Sequence, residues 1–207
     1  GVRGGKEASV YLCSRPANAT PELIAAKVYR PRRFRNLKND QLYREGRDPL
    51  DATGKIILDD RALHAMRKRT SFGLELLHSS WIGHEFNTMQ LLYEAGVDLP
   101  QPFASSDNVI LMEYIGDKNE AAPTLNTVTL SRGEARCLFN RILLNIELML
   151  KHNRIHADLS AYNILYWDGE IRLIDFPQAI NPDENRNAYH IFSRDVVKVC
   201  AYFATQG

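Results

Sequence analysis

The stretch His156-Ala157-Asp158-Leu159-Ser160-Ala161-Tyr162-Asn163, followed by Ile164-Leu165-Tyr166-Trp167-Asp168-Gly169-Glu170-Ile171-Arg172-Leu173 and closed by Ile174-Asp175-Phe176, decides the reading of this chain. Two short apolar-rich segments, Asn163 to Trp167 and Glu170 to Ile174, flank Asp168-Gly169, a strong two-residue hairpin signal. The hairpin folds the chain back, so Asn163 and Asp175 lie side by side. Asp158, Asn163 and Asp175 then stand in the order and spacing that phosphoryl transfer from a magnesium nucleotide requires. Mg²⁺ takes hard oxygen ligands, usually one or two from protein and the rest from phosphate and water. Taken singly, each Asp is better explained by a turn cap, and His156 by core packing. The ordered set across one hairpin is not.

In protein kinases a catalytic-loop Asp accepts the attacking hydroxyl, an Asn further along holds metal, and the Asp of an Asp-Phe pair after a hairpin holds the metal that bridges the phosphates. Composition is compatible with such a protein. A chain of 207 residues, 25% charged and 44% hydrophobic, buries a full core and suits one two-lobed domain or two small ones. A net charge of +1 supplies no overall field for nucleic acid or acidic lipid, so any basic surface must be local. Cys13, Cys137 and Cys200 are odd in number, far apart and in apolar contexts, which predicts buried free thiols in a reducing, cytoplasmic compartment. No apolar run reaches membrane-spanning length and no signal peptide opens the chain. The glycine-rich start and the end just after a helical pattern suit a trimmed part of a longer protein.

The segment Gly1 to Tyr11 reads as a Gly-rich loop running into a strand. Glycines let backbone N–H groups approach phosphates. The loop is not of the Walker type, because Glu7 stands where Ser or Thr should follow Gly5-Lys6. Alone it is equally a terminal tail. A second strand, Leu23 to Tyr29, presents Lys27, and the helical pattern from about Leu74 to Tyr93 carries Leu74, Leu77, Trp81, Met89 and Leu92 on one stripe with Glu85. A carboxylate on an apolar face needs a partner. Lys27 would supply one, whereas a stripe-edge Glu85 would stay solvated.

Between these elements, Pro31 to about Ser71 breaks the periodicity. Arg30, Arg32, Arg33, Arg35, Lys38, Arg44 and Arg47 make its first half basic, and Arg67 to Arg69 form a second cluster. Such a segment suits a flap touching phosphate or RNA, and equally a solvated insertion. Val109 to Gly116 reads as a buried strand leading into an interlobe linker, with backbone groups at Glu113 and Ile115 set for an adenine edge and Met112 behind the base. A plain core strand has the same pattern. Ser131 and Glu134 form a capping box, and Leu138, Ile142, Ile146 and Met149 continue an amphipathic helix that delivers the chain to His156.

Gly5 to Tyr11, Lys27 to Leu37, His156 to Asn163 and Ile174-Asp175-Phe176-Pro177-Gln178 together resemble the RIO family of atypical protein kinases, closest to its RIO1 branch. The resemblance runs through nearly the whole chain. It implies an α+β, bilobal protein-kinase-like fold: a small β-rich N-lobe over 1–112 with a basic flexible insertion at 31–71, a hinge at 113–116, and a compact, mainly helical C-lobe over 117–207 that lacks the peptide-docking subdomains. It implies ATP and Mg²⁺, with Mn²⁺ as an alternative metal. By motif, Ser9 sits in the nucleotide loop, Lys27 contacts phosphate, Glu85 holds Lys27, Asp158 is catalytic base, and Asn163 and Asp175 are metal ligands. In that family the metal-binding Asp can itself be phosphorylated, and several members act as ATPase switches in small-subunit ribosome maturation. The implied partners are ATP, a protein substrate without a name, and the ribosomal small subunit or RNA through the basic segment at 30–47.

Ala157 replaces the Arg that clamps a phosphorylated activation loop, and only 32 residues follow Asp175, with no Ala-Pro-Glu segment. Thr70 to His84 is less basic than a ribosome-associated member leads one to expect, which suits a bacterial relative. Three readings stand: a RIO-type Ser/Thr kinase or ATPase with autophosphorylation, a small-molecule phosphotransferase of the aminoglycoside or choline kinase kind, and a nucleotide-gated scaffold.

Overall fold

The computed structural model describes residues 3–5, 7–30 and 46–206. Lys6 of the Gly-rich loop, and Arg32, Arg33, Arg35, Lys38 and Arg44 of the basic segment, lie outside the described residues. The chain divides into two compact units.

The first unit comprises Gly1–Asn39, Arg47–Gln90 and Gln101–Tyr114. It contains β1 (Arg3–Gly4), β2 (Ala8–Ser14), β3 (Leu23–Tyr29), α1 (Asp60–Lys68), most of α2 (Ser71–Glu94), β4 (Pro102–Ser106) and β5 (Val109–Glu113). The strands form an antiparallel sheet in the order β1-β2-β3-β5-β4. Lys27 lies mid-sheet, opposite Val10 on β2 and Ile110 on β5. A central strand is hydrogen-bonded on both edges, which fixes the register and so the face on which Lys27 emerges.

The helix α1 lies inside the stretch expected to be aperiodic. Asp59 caps it, accepting from the Arg61 and Ala62 amides, and it stops at Arg69, whose φ of 52° is left-handed. Its buried residues are Ala62 and Met66 alone, one turn apart. Its apolar residues Ala62, Leu63, Ala65 and Met66 do recur at helical spacing, but over little more than one turn inside a charged stretch, too short a run to stand out as a helical period.

The α2 helix buries Trp81, Ile82, Phe86, Met89 and Leu92, wider than the stripe read from sequence. Two of its glycines mark close backbone approach. A Cβ on Gly73 would come within 1.9 Å of the Ala65 carbonyl oxygen, and one on Gly83 within 2.1 Å of that of Asp51. Glycine's absent side chain thus lets the turn before α1 and the end of α1 press onto α2. Ser80 adds a hydrogen bond, accepting the Leu50 amide at 3.0 Å. These contacts fix the rotation of α2 and with it the direction of Glu85.

The second unit comprises Asp40–Gly46, Leu91–Pro100 and Ile115–Gly207. It carries α3 (Arg132–Lys151), the hairpin β6 (Ile164–Trp167) and β7 (Glu170–Leu173), and α4 (Ala188–Ala204). The capping box forms as read: Ser131 Oγ takes the Glu134 amide, and the Glu134 carboxylate takes the Ser131 amide. Leu138, Ile142, Ile146 and Met149 are all buried. Ile155, Ala157, Ile180, Ala188 and Ile191 form a core against which Phe192 packs, so α4 seals the chain entering the segment 156–163.

The cysteines depart from expectation. Cys13 is half-buried, while Cys137 and Cys200 are exposed free thiols. Each of the latter sits one residue beside a core position, Leu138 and Val199, and that 100° step turns it outward. Among the described residues no helix is long and apolar enough to cross a membrane.

Candidate active site

The hairpin forms as the Asp-Gly pair dictates. Asp168 and Gly169 take φ of 49° and 79°, and β6 and β7 pair from Ile164↔Leu173 to Trp167↔Glu170. One further bond, from the Ile174 amide to the Asn163 carbonyl at 3.0 Å, extends the ladder to its open end. Asn163 therefore faces Ile174, next to Asp175. The Asn163 side-chain amide donates to the Asp158 carbonyl at 2.8 Å and to Asp158 Oδ2 at 3.2 Å. Its nitrogen is thereby committed to Asp158, and the oxygen is the end left for a cation. An amide oxygen and a carboxylate are hard donors and fit Mg²⁺. Among the described residues no group of three or more His, Cys, Asp or Glu makes a metal cage. A magnesium nucleotide needs none, because phosphates and water complete the coordination.

Backbone strain collects at this place. Ala157 and Asp175 both have positive φ, 70° and 63°, in the region non-glycine residues seldom occupy. Each has a restraint beside it. His156 is buried, its Nε2 bonds the Ile174 carbonyl at 2.9 Å, and its ring packs on Phe176 at 4.8 Å. This ties the start of the segment 156–163 to both neighbours of Asp175. His156 is thus a core residue, but one whose packing sets the loop.

Three residues of α4 complete the arrangement. Asp195 Oδ2 accepts the Ala157 amide at 2.7 Å, the Arg194 guanidinium donates to the Ala157 carbonyl, and Lys198 Nζ lies 3.5 Å from Asp158 Oδ1. Burial pushes the Asp195 carboxyl up to about 6, against the pull of the Ala157 amide and the Arg194 charge. Its Oδ1 is enclosed, with the Arg194 guanidinium 3.9 Å away. Sequence reading passed over these residues, although a signal existed. Asp195 falls on the buried stripe Ala188, Ile191, Asp195, Val199, the same anomaly that singled out Glu85.

In the first unit Lys27 and Glu85 are both buried and their charged atoms meet at 2.6 Å across 58 residues of sequence. The paired reading of Glu85 holds and the solvated one does not. Lys27 also stands 5.3 Å over the Tyr29 ring, which meets Trp81 edge-on at 5.1 Å. The turn between β1 and β2 is closed by Gly5 N–H to the Ala8 carbonyl at 2.8 Å, so Ser9 lies just beyond it, in β2 and opposite Val28. Met112 is buried in β5. The Glu113 amide donates to Gln101 O at 2.8 Å, and in the second unit the Ile115 carbonyl accepts from Ala122 at 3.0 Å.

A RIO domain model matches residues 10–207. The chain belongs to the RIO family. This RIO chain is 28% identical over 204 residues to the serine/threonine-protein kinase rio1 of Schizosaccharomyces pombe, covering 98% of itself and 37% of that protein. It is 31% identical over 127 residues to the RIO-type serine/threonine-protein kinase Rio1 of Thermoplasma acidophilum, covering 61% of itself and 65% of the relative. Against the human serine/threonine-protein kinase RIO1 the figures are 29% over 203 residues, 98% and 32%. The chain spans less than two thirds of the length of each. Among solved structures it is similar to the Rio2 kinase-ADP/Mg²⁺-phosphoaspartate complex from Chaetomium thermophilum, with a TM-score of 0.63, 22% identity, and coverage of 99% of this chain and 54% of that one. The RIO chain thus has an α+β, protein-kinase-like fold.

Proposed function

We propose that this chain is an ATP- and magnesium-dependent serine/threonine protein kinase of RIO type, or an ATPase of that type, working in the cytoplasm. The observation that carries the reading is the Asn163 side chain holding Asp158 while its own backbone extends the hairpin that ends at Asp175. In this reading Asp158 orients the acceptor hydroxyl and takes its proton. Asn163 Oδ1 and Asp175 hold Mg²⁺, which when bound neutralises phosphate charge. Lys27, kept in place by Glu85, contacts phosphate, with Ser9 near the turn that covers it. Met112 packs behind the adenine, and the Glu113 carbonyl and Ile115 amide read its edge. A ribosomal small-subunit or RNA contact through 30–47 is a further part of the proposal, supported by the arginines there.

The test is incubation with magnesium and γ-labelled ATP, alongside Asp158→Ala and Asp175→Asn. Acid-stable label on protein, lost in Asp158→Ala with ATP binding retained, supports hydroxyl transfer. Absence of both label and phosphate release, despite ATP binding, overturns it in favour of a nucleotide-gated scaffold. A second reading makes Asp175 itself the acceptor, since the Rio2 complex of similar fold is a phosphoaspartate complex and Asp175 holds a strained backbone. Hydroxylamine-labile label, absent in Asp175→Asn, separates the two.

A further inference from the structure

We propose that Lys198 is a further catalytic residue, whose ammonium group takes up the negative charge of the phosphoryl group as Asp158 accepts the acceptor's proton. The inference rests on the phosphoryl-transfer reading above. Arg194, Asp195 and Lys198 share one face of α4, and together they grip two consecutive residues of the catalytic loop: the carbonyl and amide of Ala157 and the carboxylate of Asp158. Lys198 alone of the three reaches the reacting group. Its Nζ lies 3.5 Å from Asp158 Oδ1, while Asn163 occupies Oδ2 at 3.2 Å.

Nothing in the pair's energetics makes it a stability device. The Lys198 and Asp158 side chains are 41% and 52% exposed, and solvated pairs of this kind contribute about 0–1 kcal/mol. Its position matters more. An acceptor hydroxyl on Asp158 must lie within roughly 2.6–3.2 Å of the carboxylate, and the incoming phosphorus bonds to that same oxygen. A lysine already on this carboxylate needs only a swing of its flexible stem to reach the phosphoryl oxygens, with three donors to offer.

The charge balance of the step favours that swing. The acceptor O–P bond forms, the bond from phosphorus to the β,γ-bridging oxygen breaks, and its electron pair leaves with ADP. The acceptor proton passes to Asp158. As Asp158 becomes neutral Lys198 loses its counter-charge there, and the phosphoryl oxygens offer the replacement. Its interaction therefore strengthens along the reaction coordinate, the condition for lowering a barrier rather than merely binding substrate.

The experiment compares wild type, Lys198→Met and Lys198→Arg in label transfer and ATP hydrolysis, in affinity for ADP·Mg²⁺, and in affinity for ADP·Mg²⁺ with aluminium fluoride as a mimic of the transferring group. Lys198→Met is expected to lower kcat by about 10²-fold, to weaken the aluminium fluoride complex in parallel, and to leave ADP·Mg²⁺ affinity and thermal midpoint unchanged. Lys198→Arg restores most of the loss. In an Asp158→Ala background Lys198→Met adds no further loss, because the two act in one step. An active wild type with Lys198→Met within about twofold in kcat, and undiminished aluminium fluoride binding, overturns the inference and leaves the functional reading standing. A wild type that neither turns over nor binds the mimic overturns both.

Discussion

Each of the two units holds one ion pair among the candidate residues, and the two pairs are built in opposite ways. Lys27 and Glu85 meet at 2.6 Å with side chains 8% and 1% exposed, whereas Lys198 and Asp158 stand 3.5 Å apart, open to water. Removing two charges from water costs several kcal/mol per ion, which a short contact in a packed setting offsets. Such a pair is rigid and expensive to break. The open pair costs little to separate, so its members can exchange partners during a reaction. Rigid pairing therefore suits a group that must hold a position, and loose pairing suits groups that must change charge state.

Breaking the buried pair is expected to have the largest effect. Glu85→Ala leaves Lys27 buried without its carboxylate and is expected to cost about 3–5 kcal/mol in denaturant unfolding, while the double change Lys27→Met with Glu85→Leu recovers most of that loss yet leaves nucleotide binding impaired. A Glu85→Ala protein as stable as wild type would show the pair to be dispensable. Next comes Asp195. Its raised folded pKa means that the native state binds a proton more tightly than the unfolded chain, so stability falls as pH rises from about 4 to about 6 and is flat above. Asp195→Asn is expected to flatten that slope in thermal melts; an unaltered slope assigns it elsewhere.

Asp98 supplies the opposite sign. Burial disfavours its charge, but bidentate contact with Arg141 at 2.5 and 2.7 Å, with Asn145 at 2.7 Å, more than compensates and holds its carboxyl below the ordinary carboxylate range. This contribution is present at neutral pH and is lost as pH falls below about 4 through the folded value. The stability gap between wild type and Arg141→Ala is expected to close in that window. The smallest stability effect belongs to Lys198→Met, within about 0.5 kcal/mol. Large destabilisation there would place it with Glu85 and erase the contrast.

Features written in neighbouring residues were legible before the fold was known. Asp168-Gly169 announces its own turn, Ser131 and Glu134 their own cap, and Glu85 stands out because a charge interrupts an apolar stripe. Lys27 and Glu85 were matched across 58 residues because a carboxylate on an apolar stripe needs a partner and the strand lysine offered one. The α1 helix escaped because its stripe, Ala62, Leu63, Ala65 and Met66, spans little more than one turn within a charged stretch. Asp98 with Arg141 and Asn145, and α4 with Ala157, join side chains to each other or to backbone 37 to 47 residues away. Such bonds have no period, and only packing reveals them.

The hairpin at Asp168-Gly169 also has a consequence in time. Its two strands are joined by two residues, and hairpins of this kind close in about 1–10 μs. Asn163 and Asp175 can therefore meet early in folding. The Lys27–Glu85 contact must wait for a 58-residue loop to close, and non-local contacts are the slow ones. A two-stranded hairpin is marginal by itself, so the early pairing is transient until α3 and α4 pack. Asn163 and Asp175 are thus brought together from local sequence first, and the buried Lys27 is locked in afterwards.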